Sequence, residues 1–243
     1  MAGSVFEQLY PNWTVDTWVR YGRELDGNVR AQNAELEKCK RNCAYWLWHP
    51  LKWVWTKDEY DLLNPLKPFQ RDEALYYVLQ EILNNPLVFI GKSRQVMLTW
   101  LMCAVWDWWA RFYGSQLLFI QSKHEEDAAN LVYNKIEDSA RIDFIENHLP
   151  HWMSQTKIKR SYGQLLFPNG SKIWGIPQGS HTIRSYTGSG LFADEAAFQP
   201  FFAQAYRAAR PSCRKIVAVS SAEPSAFGTM AGFQRDGHVE YAA

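Results

Sequence analysis

Short apolar runs alternate with helix-like stretches over residues 66–243. The segments Leu87–Ile90, Gln116–Gln121 and Lys215–Ser220 have the length and composition of buried strands. Leu98–Phe112, which lies between the first two, has the apolar spacing of a helix. Strands that alternate with helices predict an α/β domain in which helices flank a mostly parallel sheet.

A turn signal and a polar helix complete the predicted pattern of this domain. Pro168-Asn169-Gly170 lies between the strand-like runs Gln164–Phe167 and Ser171–Ile176, so these residues predict a β-hairpin. The polar stretch from Glu125 to Ala140 predicts one helix.

The N-terminal part of the chain has a different pattern. A polar, helix-like stretch from Asn28 to Asn42 precedes a Trp-rich segment that closes near Pro65. The change predicts a small helical N-terminal lobe, or lid, over residues 1–65, followed by the α/β domain over 66–243.

The tryptophans of this chain allow two interpretations. There are 12 of them, and their near-helical or alternating spacing favours side chains that fill a core. Tryptophan also stacks on nucleic-acid bases, which leaves base recognition as the alternative.

Composition and charge narrow the classes of function. The net charge of +1 gives no overall attraction to polyanions, so a nucleic-acid contact has to be local, through runs such as Lys38–Arg41 or Lys157–Arg160. The 4 cysteines are too few for a dense disulfide framework, which favours a reduced, cytosolic setting. Without a signal-peptide pattern or about 18 consecutive apolar residues, we expect neither a secreted nor a membrane protein.

Two adjacent carboxylates end the most informative apolar run. In Leu191–Ala197 the run leads directly into Asp194 and Glu195. ATPases use such a pair for separate tasks, because the first acid holds Mg²⁺ and the second polarises the attacking water. Two solvated surface acids are the alternative, but surface acids seldom end one apolar run and lead into another.

A possible phosphate loop follows the apolar run Leu87–Ile90. The common pattern is G-x-x-x-x-G-K-[ST], in which backbone N–H groups, a lysine and a hydroxyl hold phosphate and magnesium. If Thr99 takes the hydroxyl position, Met97 stands at the second glycine and Leu98 at the lysine. Lys92, at the first glycine, can supply the missing charge from the other end of the loop.

This loop has two weaknesses as a nucleotide site. A strand-to-helix turn can contain Lys92 and Arg94 by chance. In addition, a positive φ at Met97 would cost about 1–2 kcal/mol, because the residue is not glycine.

A third strand ends in hydroxyl groups. The run Val217–Ala222 is apolar up to Ser220 and Ser221, where a γ-phosphate can be sensed. Ligands of α/β sheets bind at the carboxyl ends of strands, and all three motifs fall there.

Taken in order, these motifs resemble the ATPase domain of the large terminase subunit, the DNA-packaging motor of tailed bacteriophages. The resemblance covers about Cys39 to Gly228. Its elements are Pro68-Phe69-Gln70 as an adenine-contacting stretch, Lys92–Thr99 as a loop with a forward lysine, the basic segment Thr182–Tyr186, the signature Asp194–Phe198 and the coupling motif Ser220–Ala222. Ser185 stands where the family has a glycine, and Met97 where members with the forward lysine usually keep one.

The resemblance implies a P-loop NTPase fold of the RecA/ASCE type and an Mg-dependent ATPase that uses ATP and Mg²⁺. The residues implied to bind ATP are Gln70, Lys92, Ser93, Arg94, Gln95, Val96, Met97, Leu98, Thr99 and Ser221. Thr99 and Asp194 are implied to hold Mg²⁺, and Glu195 and Arg94 to act in catalysis. Arg141 and Arg160 are candidates for the arginine that completes the site of a neighbouring subunit.

The resemblance also implies partners and a location. They are double-stranded DNA, a ring of identical subunits on the portal, the small terminase subunit, the host cytoplasm and, transiently, the procapsid portal. The family's nuclease domain, of RNase H-like fold, is expected to be absent from this chain, which ends at Ala243.

Two other functions stay open from the residues. A helicase-like nucleic-acid translocase shares the pair Asp194 and Glu195 but usually has a second motor domain. A degenerate fold kept as a docking module, without nucleotide binding, is suggested by Met97 and Leu98.

Overall fold

Two compact units make up the chain in the computed structural model. The structure describes residues 6, 9–58, 61–92, 97–135, 140–154, 157–179 and 181–221. The first unit takes in the described residues up to Arg71 together with those of 144–156, and the second takes in those of 72–143 and from Lys157 onward. The predicted lobe boundary at residue 65 stays a prediction.

The secondary structure alternates as the sequence predicts. The helices are α1 (Val15–Leu25), α2 (Val29–Arg41), α3 (Cys43–Leu47), α4 (Glu73–Asn84), α5 (Leu98–Phe112), α6 (Glu125–Val132), α7 (Arg141–His148), α8 (His181–Arg184) and α9 (Phe202–Ala209). The strands are β1 (Trp55–Lys57), β2 (Leu66–Pro68), β3 (Leu87–Lys92), β4 (Leu117–Ser122), β5 (Lys159–Ser161), β6 (Gln164–Leu166), β7 (Lys172–Pro177), β8 (Gly188–Asp194) and β9 (Cys213–Ser221). None of these helices is long and apolar enough to cross a membrane.

The sheet of the second unit positions the candidate motifs. Its strand order is β3-β9-β8-β4-β7-β6-β5. The five strands from β3 to β7 in this order pair in parallel, whereas β6 and β5 pair antiparallel at one edge. The prediction of an α/β fold with a mostly parallel sheet is therefore confirmed, as is the predicted hairpin, which joins β6 to β7.

One predicted helix is wrong in its second half. The helix predicted from Glu125 to Ala140 ends at Val132, because Tyr133 adopts extended backbone angles with φ −158° and ψ 126°. The next helix begins at Arg141.

Tryptophans and close helix packing fill the core of the second unit. Trp106 of α5 is fully buried, and its Nε1 donates to the Phe119 carbonyl of β4 at 3.1 Å. Helix α6 packs so closely against β7 that a Cβ on Gly175 would lie 2.7 Å from the Ala128 carbonyl oxygen. At Trp106 the core-filling interpretation holds, and the hydrogen bond of this residue to β4 fixes α5 against the sheet.

A buried carboxylate organises the first unit. The Glu35 side chain is fully buried on α2, where it accepts hydrogen bonds from the hydroxyl of Tyr21, from the hydroxyl of Tyr45 at 2.5 Å and from Lys38 Nζ at 2.8 Å. His49 Nε2 lies 3.4 Å from Glu35 Oε1. Burial of a charge is unfavourable unless it is paired and hydrogen-bonded, and this carboxylate is both.

Candidate active site

Three adjacent strands bring their carboxyl ends together at one edge of the sheet. Lys92 at the end of β3 lies beside Ser221 of β9 in the parallel register. Asp194 at the end of β8 lies beside Val219, on the other side of β9. The strand order therefore gathers residues that are up to 129 positions apart in the sequence, between Lys92 and Ser221.

Glu195 begins the turn after β8 in an uncommon conformation. Its φ of 48° and ψ of 47° are left-handed, which costs about 1–2 kcal/mol for a residue with a Cβ. Its carboxylate lies 2.9 Å from Lys92 Nζ and accepts hydrogen bonds from the Ser221 N–H at 2.9 Å and the Ser221 hydroxyl at 3.2 Å. Such strained residues cluster at functional sites, where the surrounding structure holds them.

Asp194 has a different environment. Its side chain is largely buried, and its Oδ1 accepts a hydrogen bond from the Thr99 hydroxyl at 3.1 Å. Thr99 is the second residue of α5, so this contact joins the phosphate-loop candidate to the carboxylate strand.

The two neighbouring carboxylates differ in their affinity for protons. Burial raises the pKa of Asp194, and the charge of Glu195 adds to that, although Lys92, Arg141 and Thr99 oppose it. Burial also raises the pKa of Glu195, but hydrogen bonds from the Ser221 N–H and from Lys92 outweigh it, so that this pKa lies below its ordinary value. Each acid therefore has surroundings suited to a separate task.

The N-terminus of α5 opens at the same edge. Among the described residues, the first helical hydrogen bond runs from the Leu101 N–H to the Met97 carbonyl, and no side chain caps the helix. Uncapped N–H groups and the helix dipole together favour an anion. The helix is 15 residues long and buried along most of its length, so this end is rigidly placed.

Two residues at the end of the phosphate-loop candidate, Met97 and Leu98, have ordinary roles in the structure. Met97 has φ −57°, so the left-handed strain considered for a non-glycine residue does not arise. Leu98 is 3% exposed, which places its side chain in the core and leaves only its backbone N–H for a ligand. Ser93, Arg94, Gln95 and Val96 lie outside the described residues.

The other predicted residues belong to the first unit, lie at the opposite side of the sheet, or act on the site through their charge. Gln70 is exposed and lies in the first unit. Arg160 is on β5, the outermost strand on the side of the sheet opposite β3, and its Nε lies 2.6 Å from Asp143 Oδ1. Arg141 has its guanidinium 5.5 Å from the centre of the Trp100 ring, and its charge acts on Asp194 of the same chain.

Sequence reasoning missed two buried glutamines beside the site. Gln199 donates from Nε2 to the Asp194 carbonyl at 2.7 Å, and Gln121 donates from Nε2 to the Gly179 carbonyl at 3.0 Å. A polar residue directly after the apolar end of Asp194–Phe198 is the signal that would have drawn attention to Gln199.

The residues present fit a magnesium ion that arrives with a nucleotide. No group of three or more His, Cys, Asp or Glu suited to hold a metal occurs among the residues that the structure describes. Mg²⁺, however, is commonly held by one or two protein oxygens, with phosphates and water completing its shell. Thr99 and Asp194 offer two such oxygens side by side.

Solved structures share this architecture. The chain is similar to the large terminase of bacteriophage HK97, with 15% identity, a TM-score of 0.53 and coverage of 71% of this chain and 39% of that one. The large terminase of a thermophilic bacteriophage matches with 14% identity and a TM-score of 0.52, over 71% of this chain and 45% of that one. The same thermophilic-phage protein in complex with ADP matches with 13% identity and a TM-score of 0.51, over 70% of this chain and 44% of that one.

The chain has the fold of a bacteriophage large terminase. It spans less than half the length of these terminases. No protein-family model matches the chain, and no curated protein matches it by sequence. The terminase resemblance predicted from the motifs is thus confirmed as a likeness of fold.

Proposed function

We propose that this chain is an Mg-dependent ATPase and the motor domain of a terminase that drives double-stranded DNA into a procapsid. The observation that carries the proposal is the gathering of Lys92, Thr99, Asp194, Glu195 and Ser221 at the carboxyl edge of a terminase-type sheet. Similarity to a terminase that was crystallised with ADP supports nucleotide as the ligand.

Positive charge and the N–H groups of a helix N-terminus lie close together where phosphates would bind. The Lys92 side chain is 10% exposed at the end of β3, and the N-terminus of α5, which no described side chain caps, follows the loop. Both favour a polyanion such as the triphosphate of ATP. In this proposal Lys92 and Arg94 hold the triphosphate, with backbone N–H groups of Ser93–Thr99, and Gln70 contacts adenine.

The two carboxylates divide the chemistry. Bound Mg²⁺ supplies charge that stabilises the phosphates during transfer. Thr99 and Asp194 hold it, while Glu195, whose pKa is lowered, is ionised at neutral pH and orients the attacking water. Ser221, which already contacts the Glu195 carboxylate, reports the loss of the γ-phosphate to β9.

The assembled motor would need partners beyond this chain. We propose a ring of identical subunits on the portal of a procapsid in the host cytoplasm, with the small terminase subunit and double-stranded DNA as partners. An arginine of one subunit, Arg141 or Arg160, would complete the site of the next. Arg141 acts electrostatically on Asp194 of its own chain and Arg160 is paired with Asp143, so either one would have to rearrange for that role.

The first test is Mg²⁺-dependent binding of a slowly hydrolysed ATP analogue, measured by calorimetry. Lys92→Ala should lose binding at least tenfold, because it removes the one described cation whose Nζ contacts the Glu195 carboxylate. Lys159→Ala is the matched control, since this exposed lysine lies on β5 at the far edge of the sheet, and it should bind like the wild type.

The outcomes separate the candidate functions. Binding that Lys92→Ala abolishes and Lys159→Ala leaves intact supports a nucleotide site with a forward lysine. Absence of binding in the wild type would contradict the proposal and favour a docking module.

A further inference from the structure

A buried amide closes the gap where two strands of the sheet separate. Gln199 is 4% exposed and directly follows the 3-10 turn Ala196–Phe198. Its Nε2 lies 2.7 Å from the Asp194 carbonyl oxygen of β8 and 3.4 Å from the Gln121 carbonyl oxygen of β4. The pairing of these two strands ends at Gln121 and Ala193, and the Gln199 amide bridges the strands directly beyond that last pair.

The Asp194 carbonyl belongs to the peptide that sets the conformation of Glu195. Changing φ of Glu195 from 48° to an ordinary negative value would rotate this peptide and turn its oxygen away from Gln199 Nε2. The hydrogen bond therefore stabilises the left-handed conformation over the relaxed one. A second bond, from the Phe198 N–H to the Glu195 carbonyl at 2.9 Å, holds the other side of the residue.

The direction of the Glu195 carboxylate depends on this backbone. In the left-handed conformation it reaches Lys92 and the Ser221 N–H, both at 2.9 Å. A rotated peptide would swing the Cα–Cβ bond and move the carboxylate off these partners. Displacements of about 1 Å at a reacting group are enough to slow catalysis about 100-fold.

We propose that Gln199 is a positioning residue, which holds the peptide between Asp194 and Glu195 so that the Glu195 carboxylate stays aimed at the site. The inference rests on the proposed ATPase function. Gln199 makes no contact with Lys92, Thr99 or the N-terminus of α5 among its hydrogen bonds in the described part of the chain. Its effect therefore falls on turnover rather than on nucleotide affinity.

The other polar atom of the Gln199 amide, Oε1, supports a specific role for the Nε2–H group. Gln199 Oε1 is buried and accepts no hydrogen bond within the described ranges. A buried acceptor without a partner is unfavourable, and an apolar side chain of similar volume would avoid it. What the glutamine offers over such a side chain is its N–H group on the Asp194 carbonyl.

The test compares two variants that each remove one buried amide. Gln199→Met keeps the volume and loses the donor to Asp194, and we expect a kcat at least tenfold lower with the dissociation constant of a slowly hydrolysed ATP analogue within twofold of wild type. Gln121→Met is the matched control, because that amide donates to the Pro177 and Gly179 carbonyls and not to Asp194. It should keep kcat within twofold.

A double variant and a crystal structure test whether Gln199 influences turnover through Glu195. If Gln199 acts through Glu195, then Glu195→Gln with Gln199→Met should turn over no more slowly than Glu195→Gln alone. In crystals of Gln199→Met, Glu195 should leave the left-handed region. Wild-type turnover in Gln199→Met, an equal loss in Gln121→Met, or an unchanged Glu195 conformation would each overturn the inference.

Failure of the proposed function would look different. If the wild-type chain neither binds nor hydrolyses ATP, the ATPase proposal falls, and with it any catalytic consequence of Gln199. The crystal structure of Gln199→Met still decides whether this amide sets the backbone of Glu195.

Discussion

Replacing Glu35 by Gln should destabilise the first unit strongly and in a pH-dependent way. The variant keeps the shape of the side chain but removes a fully buried negative charge. Its described hydrogen-bond partners are donors, so the amide N–H₂ group of glutamine would face donors where the carboxylate offers acceptors. The Lys38 ammonium, whose side chain is 43% exposed, can turn to water, which limits the damage.

The expected loss in the free energy of unfolding follows from the pKa of Glu35. Burial raises its pKa, but the surrounding donors outweigh burial and lower the pKa from 4.5 to about 2. These donors are His49, Lys38, Tyr21 and Tyr45. A difference of about 2.5 pKa units corresponds to about 3 kcal/mol of the free energy of unfolding. This is a large share of the roughly 5–15 kcal/mol of a typical protein.

The sign of the pH dependence is fixed by the direction of the shift. Because the folded pKa lies below the unfolded value, the contribution is fully present above pH 4.5 and is lost as the pH falls toward 2. Glutamine does not titrate. The difference between wild type and Glu35→Gln should therefore be about 3 kcal/mol at pH 7 and should narrow below pH 4.5.

Urea unfolding at pH 7, 5, 4 and 3, followed by near-UV circular dichroism, measures this difference. Glu37→Gln is the matched control, because Glu37 lies on the same helix and is exposed. It should change the free energy of unfolding by less than about 0.5 kcal/mol. Equal stability of the two variants, or a difference that stays constant with pH, would refute the reasoning.

Two further substitutions test the packing and the loop. Gly175→Ala should lower the free energy of unfolding by about 1–3 kcal/mol in thermal or urea unfolding, because its Cβ would meet the Ala128 backbone at 2.7 Å. Gly91→Ala is the control, because its Cβ would meet nothing within 4 Å among the described residues, and equal loss in both would contradict the packing argument. Met97→Gly should not tighten the binding of an ATP analogue in calorimetry, because Met97 already has φ −57°. A gain of tenfold or more would show that this position needs glycine after all.

Much of the fold can be predicted because the strands are apolar runs of the right length. Leu87–Ile90 and Gln116–Gln121 lie within or overlap β3 and β4, and the turn at Asn169 joins two strands as its sequence predicts. The end of α6 at Val132 is not visible in this way, since Tyr133 and the polar residues after it are compatible with a longer helix. Strand order is also not written in local patterns, and it decides that Lys92 meets Ser221.

The candidate site was predictable where strand ends carry charged or hydroxyl groups, and not where long-range hydrogen bonds shape it. Asp194 and Glu195 follow an apolar strand, which marks them from the sequence alone. The bond from Gln199 to the Gln121 carbonyl joins residues 78 positions apart, so no local pattern indicates it. The left-handed backbone of Glu195 likewise has no signature, because left-handed positions usually favour glycine or asparagine.

The contact between Lys92 and Glu195 links phosphate binding to the activation of water in the proposed reaction. The Lys92 ammonium, 2.9 Å from the Glu195 carboxylate, is also the group proposed to hold the triphosphate. When phosphate takes up the Lys92 charge, Glu195 loses part of the interaction that lowers its pKa and keeps the two hydrogen bonds from Ser221. The carboxylate then becomes a stronger base without losing its place. Under the proposed function, nucleotide binding therefore prepares Glu195 for the water, and Ser221 on β9 is the residue that senses the change.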